Sequence, residues 1–286
     1  MKLTYMMPFI LFLIIWPLEA FSQQTDTTSY TYQIELIDGS VLIGKIMSED
    51  EHTIQFLTNS NIEMSIPVEQ VRKKERISGR IVKGQLWRSD PNRTRLFFAP
   101  TGKALKAGQG YFSVYEIFFP TVAVGITNYI AVAGGISLFP GSSEQLLYLA
   151  PKVTPVQADK FDLSAGVLLL KIPDEDETAG IVYGVSTYGT ENSALTLGIG
   201  FAFAGGEFAD KPVFALGGEI RVGRYVKLIS ENWLIPNSDV QVISAGIRFF
   251  GENLAADFAL IHPLGSDIEG FPFLPWIGFA YNFGNK

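Results

Sequence analysis

Pro275-Trp276-Ile277-Gly278-Phe279-Ala280-Tyr281-Asn282-Phe283 decides how this chain is read. Ile277, Phe279, Tyr281 and Phe283 are large and apolar, whereas Gly278, Ala280 and Asn282 between them are small or polar. Successive side chains of a strand point to opposite faces, so the segment predicts a strand with one greasy face and one lean one. A single strand of this kind fits any half-buried sheet. The pattern, however, recurs about ten times upstream. Its clearest copy is Leu195-Thr196-Leu197-Gly198-Ile199-Gly200-Phe201-Ala202-Phe203. In Asp162–Lys171 the residues Leu163, Ala165, Val167 and Leu169 oppose Asp162, Ser164 and Gly166, and the alternation fades at Leu168 and Leu170. Val213–Arg221, Val242–Phe249 and Leu254–Ile261 alternate in the same way.

The chemistry of the lean face separates two fold classes. A soluble sandwich or jelly roll buries its apolar face and solvates the other, which should then be rich in Lys, Glu, Thr and Gln. Here the second face is mostly Gly, Ala and Ser with a few charges. That suits the inside of a barrel whose large residues face lipid. Backbone groups in lipid have no water partner, so such a sheet must close on itself. The composition agrees: 47% hydrophobic and 13% aromatic residues, with 18% charged and 28 glycines. Beyond the N-terminus there is no run of roughly 20 apolar residues, which excludes a helical membrane protein.

Turn positions predict a topology. Thr127-Asn128, Gly189–Asn192, Gly223-Arg224 and Gly251–Asn253 are short connections. Pro140–Glu144, Pro173–Thr178, Gly205–Lys211, Pro236–Asp239 and His262–Pro272 alternate with them and are longer, and Thr154–Lys160 breaks the rule. Membrane barrels have short periplasmic turns and longer outer loops, so this phase places the C-terminus in the periplasm. Gly110–Ile126 then reads as one descending strand. Thr94–Ala99 reads as the ascending strand before it, with Pro100–Gln109 as an outer loop. The predicted total is about twelve strands, with ten and fourteen as neighbouring counts. Thr94–Ala99 is expected to pair with the terminal strand and close the ring.

With these segments in place, residues 93–286 resemble a Gram-negative outer-membrane β-barrel protein. Ile277-x-Phe279-x-Tyr281-x-Phe283 is similar to the C-terminal signal read by the barrel-assembly machinery, although Gly284-Asn285-Lys286 extend past its aromatic end. The resemblance implies outer-membrane localisation, contact with outer-membrane lipid, and the assembly machinery as a partner.

The N-terminal part reads separately. Lys2, the apolar run Met6–Leu18 and the small residues Ala20 and Ser22 predict a secretory signal peptide over residues 1–22, with an N-terminal anchor as the competing reading. Two alternating runs then flank Asp38-Gly39, a hairpin signal because both residues tolerate positive φ. Further short runs at His52–Leu57 and Ile62–Ile66, and a single helical turn after Pro67, complete a small bent β module over residues 30–76. Leu36-Ile37-Asp38-Gly39-Ser40, Gly44-Lys45-Ile46 and Asp50-x-His52-Thr53-Ile54 resemble the first motif of Sm-like folds. The fold class is therefore all-β: an Sm-like or SH3-like small barrel, a linker over 77–92 and a transmembrane barrel. The small module is expected in the periplasm, docking a partner there. The basic cluster Arg72-Lys73-Lys74-Glu75-Arg76 reads as a solvated linker, or alternatively as a contact for anionic lipid.

Chemistry is sparse. A net charge of −7 argues against a nucleic-acid binder, and the absence of Cys removes disulfides, thiolate metal sites and a Cys nucleophile. Of the two His, His52 reads as a surface residue. His262 offers the single route to a barrel-embedded phospholipase-like hydrolase, without a motif to support it. Asp174-Glu175-Asp176-Glu177 lacks calcium-loop spacing, and Ala133-Gly134-Gly135 and Gly205-Gly206 lack the context of a phosphate loop. No catalytic residue, metal site or cofactor is predicted. Tyr129, Phe139, Tyr188, Tyr225, Trp233 and Trp276 near strand ends suit membrane interfaces. The candidate site is the set of charges with inward register: Asp162, Glu219, Arg221, Lys227, Glu231, Arg248 and Asp257. Mixed signs in a narrow lumen either line an aqueous path or pair to plug it. The expected function is a non-catalytic narrow pore for small solutes or a structural barrel, with the hydrolase and a secreted, partner-binding soluble β protein as alternatives.

Overall fold

The computed structural model describes residues 31–77, 79–82, 85–142, 145–171, 177–236, 241–265 and 271–284. The expected signal peptide at residues 1–22, the acidic residues Asp174, Glu175 and Asp176, and the final Asn285-Lys286 lie outside these residues. Among the described residues no helix is long and apolar enough to cross a membrane.

The chain opens with β1 (Thr31–Leu36), β2 (Val41–Glu49), β3 (Thr53–Thr58), β4 (Glu63–Pro67) and β5 (Val71–Ile77). They form one antiparallel sheet in the order β4-β3-β2-β1-β5. Asp38-Gly39 makes the first turn, with Gly39 at φ 85° and the Asp38 carboxylate accepting the Ser40 N–H at 2.8 Å. Ile34, Ile54, Phe56 and Ile66 form the buried core. The basic cluster is strand β5 and not a linker. It pairs with β1, and Arg72 and Lys74 bridge Glu35 and Glu49 at 3.1 and 2.6 Å. A separate hairpin, β6 (Gly79–Val82) and β7 (Gln85–Arg88), follows.

The barrel is built from β8 (Gly110–Tyr115), β9 (Phe119–Gly125), β10 (Ile130–Ile136), β11 (Leu147–Gln157), β12 (Phe161–Lys171), β13 (Thr178–Gly189) and β14 (Ser193–Ala204), then β16 (Val213–Gly223), β17 (Val226–Leu234), β18 (Gln241–Phe250), β19 (Leu254–Leu264) and β20 (Leu274–Phe283). The two-residue β15 (Glu207–Phe208) folds back on β14. Each strand pairs antiparallel with the next, and β20 pairs with β8 from Gly278↔Tyr115 to Phe283↔Gly110, closing a ring of 12 strands. Leu195, Leu197, Ile199 and Phe201 of β14, and Phe279 and Tyr281 of β20, are exposed on the outside, as are their counterparts around the ring. Gly198, Gly200, Ala280 and Asn282 face in.

The count of twelve is right, but its composition differs from the sequence reading in two ways. Gly110–Ile126 is two strands, split by a turn at Glu116-Ile117 with φ of 48° and 67°. Non-glycine residues seldom adopt this left-handed region, and a β-branched one less still. The seam supplies the compensation: Glu116 N–H donates to Ile277 O at 2.9 Å, and its carboxylate accepts the Ile277 N–H at 2.7 Å. Thr94–Ala99, in turn, is not a wall strand and does not pair with β20, so the barrel wall begins at Gly110 rather than near residue 93. Thr154–Lys160 loses its irregularity too, because β11 runs to Gln157 and leaves a three-residue turn. Apart from the Glu116-Ile117 turn, the short turns therefore share one rim with both ends of the ring, and the longer connections share the other.

Candidate functional site: the plugged lumen

Residues 89–109 enter the barrel from the short-turn rim as a hairpin and return to the same rim. At the entry Ser89 Oγ donates to Glu191 at 2.7 Å, and at the exit Ala107 N–H donates to Asn128 Oδ1 at 3.3 Å; Glu191 and Asn128 both lie in short turns. The β6–β7 hairpin sits on that rim. Arg88 bridges Glu252 at 3.1 Å, Arg224 donates to Leu86 O at 2.8 Å, and Arg221 lies over the Trp87 ring. Inside, the hairpin is tied by Leu96 N–H to Ala99 O and Thr101 N–H to Thr94 O, both at 2.9 Å. Its tip packs Leu96, Phe97 and Ala99 against Ile229 and Ala259, with Trp233 and Trp276 alongside.

The wall holds this plug with charge. Glu231 accepts the backbone N–H groups of Phe97, Phe98 and Ala99 at 2.9, 2.9 and 3.0 Å, and its other oxygen accepts the Trp233 indole N–H at 2.9 Å. Asp257 bridges Arg95 of the plug at 2.6 Å and Arg248 of the wall at 2.6 Å. Arg248 also reaches Asp90 at 3.2 Å and the carbonyl of Asn92 at 3.0 Å. Lys227 sits between Asp90 and Glu219 at 3.1 and 3.2 Å, and Lys103 of the plug meets Glu219 at 2.9 Å. Arg248, Asp257, Lys227 and Asp90 are essentially inaccessible to solvent. Burial alone would push the Asp90 carboxyl up, but Lys227 and Arg248 beside it hold it well below the usual carboxylate range. Its contribution to closure is thus complete above the ordinary carboxylate range and is lost as pH falls through the lowered value.

All seven sequence-derived charges have inward register. Glu219, Lys227, Glu231, Arg248 and Asp257 converge on the plug. Asp162 is half-buried and stands outside this ion-pair network. Arg221 lies at the rim, donating to Gly223 O at 3.1 Å and covering the Phe250 ring. Sequence reasoning missed the plug's own partners, Asp90, Arg95 and Lys103. Two prolines, Pro91 and Pro100, bracket a stretch without alternation, and that was the available signal. His262, the residue on which a hydrolase reading would rest, has Nδ1 2.7 Å from Pro272 O, and its ring packs on Phe273. Among the described residues no three His, Asp or Glu side chains gather as a metal site.

Beyond the plug tip, toward the rim of longer loops, the lumen widens into a cavity of about 560 Å³. Its walls are mostly apolar and aromatic. Leu168 and Leu170 line it, which explains why alternation fades there: β12 is apolar on both faces at this level.

A closed ring of twelve strands, apolar outside and carrying its own plug, defines a transmembrane β-barrel of the outer-membrane type. No family model matches the chain, and no curated protein matches it. Among solved structures it is similar to the KdgM porin, determined in complex with disordered oligogalacturonate, at 7% identity and a TM-score of 0.46 over 60% of this chain and 96% of that one. It is similar to the outer membrane protein Omp33 of Acinetobacter baumannii at 12% identity and a TM-score of 0.37, over 63% and 99%. A loop-deletion form of OmpT, an outer membrane protein of Vibrio cholerae, aligns at 11% identity and a TM-score of 0.35 over 89% and 96%. The class itself rests on the strand pairing and the apolar exterior.

Proposed function

We propose that this protein is a non-catalytic outer-membrane channel for small solutes, closed at rest by residues 89–109. The observation that carries this reading is the plug's form: a hairpin with both ends at one rim, held inside the lumen by side chains, with backbone bonds to the wall at Gly108 and Gln109, where it joins β8. It can leave the lumen without breaking any ladder of the wall. The alternation of short turns and longer loops supports a periplasmic position for that rim, and with it for the N-terminal sheet. The strand order β4-β3-β2-β1-β5 around a compact core supports the Sm-like reading of that sheet as a docking module for a periplasmic partner. Residues 1–22 would direct export as a signal peptide. The outward Ile277, Phe279, Tyr281 and Phe283 lie on a seam strand, where the barrel-assembly machinery would engage them, and the belt would contact outer-membrane lipid. No nucleic-acid partner enters this reading.

Planar-bilayer recording tests it. The full chain is expected to show little conductance, and a variant with residues 89–106 replaced by a Gly/Ser linker of equal length is expected to show steady open channels. Equal conductance from both proteins would remove the plug as the barrier. A silent variant that still migrates as a folded barrel would make the protein structural instead.

A further inference from the structure

We infer that the cavity beyond the plug is a binding site for one amphipathic monoanion, with an apolar body and a single carboxylate-like head. The inference concerns the state with the plug seated, whose Arg95, Phe98, Ala99 and Pro100 form one side of the cavity, and does not require the plug to move. An aqueous path would be lined by polar groups, whereas this cavity is walled by residues such as Leu168, Leu170, Ile181, Tyr183, Trp233 and Trp276. Its 560 Å³ falls within the roughly 300–1,000 Å³ of pockets that enclose one small ligand. Apolar walls set the body of the ligand, and the few polar groups set its head.

Lys152 supplies the charge for the head. Its Nζ donates to the carbonyls of Thr101 and Lys103 at 3.1 and 2.8 Å, and no ion pair to a carboxylate within 4.0 Å is recorded for it among the described residues. Arg95, Lys103, Lys227 and Arg248, by contrast, each have a carboxylate, and Lys106, which bonds Gln157, does not line the cavity. Asp162 acts on this ammonium from beyond ion-pair distance, so its charge beside an apolar cavity is only partly compensated, and a bound anion relieves the remaining cost. One ammonium matches one negative charge. A phosphate monoester, at about −1.5 to −2, would bring more charge than the site neutralises.

The cavity carries its own reporter. Two of the chain's four tryptophans, Trp233 and Trp276, line it. The full-length protein in nanodiscs is titrated with 11-bromoundecanoate, whose bromine quenches indole fluorescence on contact, and in parallel with 11-bromoundecanol. Saturable quenching by the carboxylate is expected. Its affinity should fall about tenfold in Lys152→Met, the scale of one charge-assisted hydrogen bond, and hold in Lys152→Arg. The alcohol should bind both Lys152→Met and the parent protein equally and weakly. Because Lys152 also touches the plug, Ala150→Phe serves as a second variant: it fills the cavity, leaves Lys152 in place and should abolish saturable quenching. Non-saturable quenching in the parent protein would overturn the site. So would a carboxylate affinity indifferent to both Lys152→Met and Ala150→Phe.

Discussion

Replacing Asp257 by alanine is expected to unseat the plug while leaving the barrel closed. Asp257 is fully buried and serves two guanidiniums, Arg95 of the plug and Arg248 of the wall. Without it Arg248 keeps Asp90, but Arg95 keeps no carboxylate, being left with the carbonyls of Leu96 and Phe97, the Asn92 amide oxygen and the Tyr115 ring. Removing one partner of a buried ion pair costs about 3–5 kcal/mol, because the remaining charge stays desolvated. Hydration of an opened lumen recovers that cost for Arg95 and Arg248 alike, so the loss falls on the closed state. At about 1.4 kcal/mol per tenfold, the balance between seated and unseated plug shifts by two to three orders of magnitude. The chain has no cysteine, so a single Leu96→Cys substitution at a residue 1% exposed gives a clean reporter. Labelling by a water-soluble thiol reagent should be slow in the parent background and faster by about a hundredfold or more with Asp257→Ala. An unchanged labelling rate would show that this carboxylate does not hold the plug.

Gly102→Val is expected to reach the same open state by shape alone. A Cβ on Gly102 would sit 2.5 Å from the carbonyl oxygen of Asp162 and 2.8 Å from the backbone nitrogen of Thr187. Both atoms belong to β12 and β13, which are paired along their whole lengths and do not give way. The plug must therefore lift. It then loses the bond from its own Gly102 N–H to Thr187 Oγ1 and the one from Ser164 Oγ to Gly102 O, at 2.9 and 2.8 Å, and draws Lys103 away from Glu219. Overpacking of this kind costs about 1–3 kcal/mol, and each buried polar group left unpaired adds about 1–3 kcal/mol. Because Gly102 belongs to the plug, no wall ladder is touched. Single-channel conductance should appear, while heat-modifiable gel migration stays that of the parent. A variant that conducts no better than the parent would mean the lumen tolerates the added side chain.

The wall was legible because a lipid-spanning strand advertises itself locally. Leu195–Phe203 carries its period, its length and its lean inner face within nine residues, and the register of Glu219 or Asp257 follows from the same count. The plug was not legible because its partners are distant. Phe97, Phe98 and Ala99 satisfy their backbone N–H groups on a carboxylate more than 130 residues away, so Leu96-Phe97-Phe98 resembles a short apolar strand when read alone. The Glu116-Ile117 turn hid for the opposite reason. It has none of the Gly, Asn or Asp that mark positive φ, and what holds it is the Ile277 backbone across the seam. These two misreadings cancelled in the strand count, so a correct total concealed a wrong first strand. The Lys152 site lay beyond reach too, since its significance is that Lys152 Nζ bonds plug carbonyls and makes no direct ion pair among the described residues, which only the folded lumen reveals.

The plug also carries electrical work. Between Ser89 and Gln109 it holds one acid, Asp90, and four bases, Arg93, Arg95, Lys103 and Lys106, a net charge of +3. A unit charge crossing the whole membrane field exchanges about 2.3 kcal/mol per 100 mV. Three charges withdrawing through about half of it exchange about 3.5 kcal/mol per 100 mV, comparable to one of the buried ion pairs that hold the plug. The channel should therefore rectify. Voltage negative on the short-turn side draws the plug out and raises open probability, whereas the opposite polarity presses it home. A protein inserted in one orientation would show this as an asymmetric current–voltage curve.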